Sequence, residues 1–140
     1  MRLAANAGCR LHLIEPLGFT LDDRKLRRAG MDYRDRAVVF THRDLSTWLS
    51  DASPQRVFAL SNKGNRRYSD VEYQPGDSFL LGPESVGLPD EVMSAAFVTE
   101  VISIPMQPGV RSLNLANAAA IAVYEAWRQH SFAIADRPPE

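Results

Sequence analysis

Apolar residues along this 140-residue chain cluster in short runs, separated by stretches with helical spacing. Residues 10–14 alternate polar and apolar and then meet Glu15-Pro16, which predicts a strand followed by a loop. Residues 37–41, Ala-Val-Val-Phe-Thr, form a continuous β-prone run, the pattern of a strand buried on both faces. Residues 56–60, 78–81 and 101–104 predict three further strands. Helices fall between them. Residues 2–7 read as the end of a helix closed by Gly8 in a left-handed cap. Residues 21–29 read as a helix opened by Thr20 and Asp23 in a capping-box arrangement and stopped at Gly30. Residues 44–49 and 90–96 predict short helices, and residues 113–130 a long final one. Strands alternating with helices imply an α/β domain with a parallel sheet, and the length suits a single domain.

The final helix carries Leu113, Ala116, Ala120 and Val123 on one stripe and Leu115, Ala119, Ala122 and Ala126 beside it. Apolar residues nearly all the way round predict burial on more than one side. Its alanines would admit another helix closely, which points to a partner subunit, most simply in a symmetric homodimer. Residues 61–76 form a long polar stretch containing Lys63, Arg66 and Arg67, and loops of that length in a compact domain tend to be functional. The tail from residue 135 is expected to fray.

Charge changes this picture only locally. The net charge is −1, so no overall field drives the chain onto nucleic acid or membrane. Residues 1–43 hold nine basic side chains against five acidic ones, and residues 44–100 four against nine. Arg24, Lys25, Arg27 and Arg28 on the second predicted helix could reach a polyanion or simply form its solvated face. The single cysteine, Cys9, excludes an intramolecular disulfide, fits a reducing compartment and reads as a packed thiol. No apolar run approaches the roughly 20 residues of a membrane span, so a cytoplasmic protein is expected.

Candidate chemistry gathers in two loops, Leu81-Gly82-Pro83-Glu84-Ser85-Val86-Gly87-Leu88-Pro89 and the stretch 104–114. Each directly follows a predicted strand, and open α/β sheets bind ligands at the carboxyl ends of their strands. Gly82 is expected to lie against the ligand, and Ser112 to cap the final helix. Dinucleotide and Walker glycine motifs and a serine-hydrolase elbow are absent. His12, His42 and His130 lack metal-ligand spacing, so no metal is expected.

These loops resemble the second and third motifs of the SPOUT methyltransferases. The run Arg10-Leu11-His12-Leu13-Ile14-Glu15-Pro16-Leu17-Gly18-Phe19, with Ser69-Asp70-Val71, is similar to small single-domain tRNA ribose 2′-O-methyltransferases acting at the wobble nucleotide. The resemblance covers nearly the whole chain. It implies a parallel α/β sheet with flanking helices and a deep carboxyl-terminal trefoil knot, S-adenosylmethionine as cofactor, and tRNA as partner. Carried over by position, it assigns cofactor contacts to Leu60, Gly82, Ile104 and Ser112. It puts Arg2, Glu84, Asn114 and Tyr124 at catalytic positions and Arg111 on the RNA beside the basic helix. Arg2 falls where the family's first motif ends near the target ribose. Guanidinium stays protonated, so Arg2 is expected to clamp phosphate or ribose rather than act as base. The alternative reading is a catalytically idle module that binds S-adenosylmethionine or RNA with the same fold.

The family precedes that arginine with a strand and an Asn-x-Gly-Asn loop, whereas this sequence starts one residue before Arg2. The chain therefore reads as truncated at its amino terminus relative to the family. The expectation is a reading frame that continues upstream, with Met1 an internal residue, because losing a central strand would expose two unpaired edges.

Overall fold

The computed structural model describes residues 1–18 and 38–134. The helix read at residues 21–29, its cap at Thr20, the residues Arg24, Lys25, Arg27 and Arg28, and the tail from residue 135 lie outside them. Two compact units emerge, one of Met1–Ser53 together with residues 133 and 134, the other Pro54–Phe132.

In the first unit, α1 (Arg2–Ala7) ends as its glycine predicts, with Gly8 at φ 66° and ψ 25°. Two strands follow, β1 (Leu11–Ile14) and β2 (Val39–His42), paired in parallel with Leu11 opposite Val39 and Ile14 opposite His42. The helix α2 (Leu45–Ala52) begins because Asp44 accepts hydrogen bonds from the Thr47 amide and hydroxyl, both at 2.7 Å. Trp48 is its buried anchor.

One contact in this unit escaped the sequence. His12 and His42, thirty positions apart, meet with Nδ1 of His12 2.9 Å from Nε2 of His42. His42 is only 5% exposed and its Nδ1 lies 3.3 Å from Asp51. If His42 donates from Nδ1 to the carboxylate, its Nε2 accepts, and His12 donates from Nδ1. Burial, then the charges of His42 and Arg10, hold the His12 imidazole below its ordinary value of 6.5. As pH falls through 6.5, the unfolded chain therefore takes up the His12 proton before the folded one does. Stability from this group is present above pH 6.5 and declines below it. Urea unfolding midpoints should drop from pH 7.5 to pH 5.5, and less steeply in a His12→Gln variant. An equal drop in both proteins would exclude His12 as the source.

The second unit holds a four-stranded parallel sheet in the order β4-β6-β3-β5. Its strands are β3 (Val57–Leu60), β4 (Arg66–Arg67), β5 (Ser78–Leu80) and β6 (Glu100–Ser103). Val57 sits opposite Ser78, and Phe58 opposite Glu100. The stretch 61–76, read as loop, contains β4 and a 3₁₀ turn at Tyr68–Asp70. A short helix, α3 (Asp90–Met93), precedes β6, and α4 (Leu115–Gln129) closes the unit.

Phe58, Val71, Tyr73 and Ile102 make a buried cluster flanked by Leu60, Tyr68, Phe79 and Ala126. Phe58 and Tyr73 meet edge to face at 5.4 Å, and the Tyr73 hydroxyl donates to the Tyr68 carbonyl at 2.6 Å. Burial raises the Tyr73 phenol well above its ordinary value. Gln129, at the end of α4, bridges the same segment, accepting from the Tyr73 amide and donating to the Val71 carbonyl, both at 2.9 Å. Arg56 grips Asp77 through Nε and Nη2 at 2.8 and 2.6 Å, tying the start of β3 to the start of β5.

One expectation for the last helix needs correction. Its N-cap is Asn114 rather than Ser112, because the Asn114 side chain accepts from the Ala116 and Asn117 amides. Within this chain only Ala122 of the helix is fully enclosed, and its first turn is exposed. Among the described residues, no helix is long and apolar enough to cross a membrane.

Candidate functional site

A cavity of about 260 Å³ opens at the carboxyl ends of β3, β5 and β6, the three strands that lie side by side. β3 ends in Leu60, the chain after it supplies Ser61 and Asn62, and the chain after β5 supplies the loop from Leu81 to Leu88. Ile104 and Met106 come after β6, and Ser112, Leu113, Leu115 and Ala118 bring in the approach to α4 and its first turn. The parallel sheet explains this convergence, because parallel strands deliver their following loops to one edge.

The first loop is held shut by its own backbone. A Cβ built on Gly82 would stand 2.3 Å from the Gly87 carbonyl carbon and 2.4 Å from the Leu88 nitrogen. The space is thus filled by backbone, and the reason for glycine here is loop closure rather than room for a ligand alone. Gly87 serves differently. It has open space around its Cα but sits at φ 70°, a conformation that L side chains rarely adopt. Its amide donates to the Pro83 carbonyl at 2.8 Å, completing the turn.

The two loops are joined by one side-chain bond. Asn114 Nδ2 donates to Glu84 Oε1 at 2.9 Å, while the Asn114 Oδ1 caps α4. The same residue therefore fixes the start of the helix and the orientation of the carboxylate across the cavity.

Leu60, Gly82, Ile104, Ser112 and Glu84 are all brought to this one cavity, and Asn114 is bonded to it through Glu84. Arg111 is exposed and does not line it. Tyr124 lies almost three turns further along α4, 42% exposed and edge-on to Trp127 at 5.5 Å. Arg2 opens α1 in the other unit. The lining also includes Ser61 and Asn62, which open the polar stretch 61–76 but were not singled out as site residues. Their position immediately after a predicted strand was the available signal.

Two cations of the stretch after β3 are paired. Lys63 Nζ is 2.7 Å from Asp90, and Arg66 Nη1 is 2.9 Å from Glu100. Among the described residues, no group of three or more His, Cys, Asp or Glu side chains is placed to hold a metal ion.

The model of the SpoU rRNA methylase family matches residues 1–124 of this chain. A Saccharophagus degradans protein named tRNA (cytidine(34)-2′-O)-methyltransferase is 50% identical over 133 residues, spanning 95% of this chain and 86% of that one. A solved structure described as giving insight into 2-OH methylation of C/U34 on tRNA superposes with a TM-score of 0.84. It is 44% identical and the match covers 94% of this chain and 86% of that chain. An AdoMet-bound rRNA methyltransferase from Sinorhizobium meliloti matches with a TM-score of 0.68 at 29% identity, over 91% of this chain and 49% of its own.

Proposed function

The chain belongs to the SpoU rRNA methylase family, and from that premise we propose that it transfers a methyl group from S-adenosylmethionine to a ribose 2′-hydroxyl of tRNA, at the anticodon wobble nucleotide. The observation that carries the reading is the gathering of Leu60, Gly82, Ile104, Ser112 and Glu84 around one strand-end cavity. The relative named for this activity supports the tRNA substrate and the wobble position.

The cavity suits the cofactor chemically. Leu60, Ile104, Leu113 and Leu115 offer apolar surface to a flat base, and Ser61, Asn62 and Ser112 offer polar groups beside it. When bound, S-adenosylmethionine supplies an electrophilic methyl group. The chain's own part is alignment, for which effective molarities reach roughly 10⁵ M or more. Asn114 orients Glu84, and Arg2 clamps a phosphate or the ribose while remaining charged. The family resemblance assigns Tyr124 and Arg111 to the substrate as well.

The family's trefoil knot, one methyltransferase domain spanning residues 1–140 and a homodimer belong to the same proposal. The family match, running from residue 1 to residue 124 through both units, supports the single domain. Exposed Val110 and Tyr124 give the second unit apolar surface outside the cavity lining that a partner copy would cover. The cytoplasm is its expected compartment.

The tRNA reading is tested by salt. If Arg24, Lys25, Arg27 and Arg28 neutralise phosphates, binding should weaken with salt at about −0.9 in log–log slope per duplex contact. Replacing all four by Gln should flatten the slope by about 3 to 4, measured by filter binding across a salt series. An unchanged slope would mean that these four side chains do not touch phosphate.

A further inference from the structure

We propose that Gly64 is a positioning residue for the cofactor cavity, acting through the wall formed by Ser61 and Asn62. The inference rests on the reading of that cavity as the S-adenosylmethionine site. Gly64 does not line the cavity, and its importance comes from the path of the chain.

β3 and β4 flank β6 on opposite sides, so the chain between them must cross over β6. Leu60 and Arg66 both sit opposite Ile102, from either side. Only residues 61–65 are available for the crossing. The ladder runs one step past β3, with the Ser61 amide donating to the Ile102 carbonyl at 3.0 Å. The turn then folds back, the Gly64 amide donating to the Ser61 carbonyl at 3.1 Å. At the crossing the two backbones touch. A Cβ on Gly64 would lie 2.5 Å from the Ile102 carbonyl carbon, 2.8 Å from its oxygen and 2.9 Å from its Cα.

Those atoms cannot yield. Ile102 is 0% exposed and is hydrogen-bonded within a central strand of the sheet. The backbone at Gly64 is not in the left-handed region, in contrast to Gly87 and Gly109. Glycine is therefore required for space and not for conformation. Any side chain must lift the turn, and the turn carries Ser61 and Asn62. Two contacts of backbone on backbone thus frame the cavity, Gly82 on Gly87–Leu88 and Gly64 on Ile102.

The test is calorimetric titration of the full chain with S-adenosylhomocysteine. Gly64→Ala should weaken binding at least about tenfold, since small displacements of positioning groups have large effects. Lys63→Ala, an exposed change in the same turn, should bind like the unaltered chain. A folded Gly64→Ala protein with unchanged affinity overturns the inference, and so does an equal loss in Lys63→Ala. Should Gly64→Ala fail to fold, a glycine inserted between Gly64 and Asn65 lifts the turn without a new side chain. Weakened binding there supports the inference, and unchanged binding overturns it. An unaltered chain that ignores S-adenosylhomocysteine overturns the cofactor reading, and this inference with it.

Discussion

Replacing Gly82 by valine should reduce S-adenosylhomocysteine affinity by about a hundredfold or more and lower thermal stability as well. Even a Cβ at that position would overlap the Gly87 and Leu88 backbone at 2.3 to 2.7 Å, well inside any tolerable contact. The loop must therefore open, carrying Glu84 away from Asn114. Gly87→Ala provides the contrast. It meets no atoms within 4 Å but must hold φ 70°, which costs about 1 kcal/mol, so stability should fall slightly and affinity much less. Equal affinities for the unaltered protein and Gly82→Val, measured by calorimetry on folded material, would refute the account of loop closure.

Replacing Asn114 by alanine should lower kcat/KM for methyl transfer by about a hundredfold, far more than its effect on stability. The lost N-cap of α4 accounts for about 1 kcal/mol of stability. The larger consequence is that Glu84 loses its 2.9 Å partner, so the two loops are no longer joined. Asn114→Asp separates these roles. Its carboxylate can still cap the helix, but it replaces a donor to Glu84 with a like charge. Activity should therefore fall in both variants, while Asn114→Asp keeps near-normal thermal stability. Full activity in Asn114→Asp would mean that the bond to Glu84 is unimportant.

Much of this arrangement was legible because the strands are short apolar runs with turn residues behind them. The runs ending at Leu60, Leu80 and Ser103 were each located to within a residue or so. The strand-end rule then pointed to the edge of the sheet where the cavity opens. β4 was hidden because Arg66-Arg67 has neither apolar content nor length, and only its pairing with β6 makes it a strand. The cap of α4 was misread because Ser112 and Asn114 are equally suitable by residue type. What selects Asn114 is a helix that starts at Leu115, together with the bond from Asn114 to Glu84. Helical periodicity reveals the apolar face of α4 but not whether the same chain covers it. The contact between His12 and His42 joins strands thirty residues apart, which no local pattern encodes. Gly64 could be seen as a glycine in a polar loop, but the strand it crosses is a property of topology alone.

The central claim is a methyl group on one particular oxygen. The most direct test incubates the chain with tRNA and methyl-labelled S-adenosylmethionine, then locates the label by nuclease digestion and mass spectrometry. The account predicts a single methyl on the ribose 2′-oxygen of the wobble nucleotide, and none when that nucleotide carries a 2′-deoxyribose. A methyl on a base or on another nucleotide, or no transfer while the cofactor is bound, would contradict it.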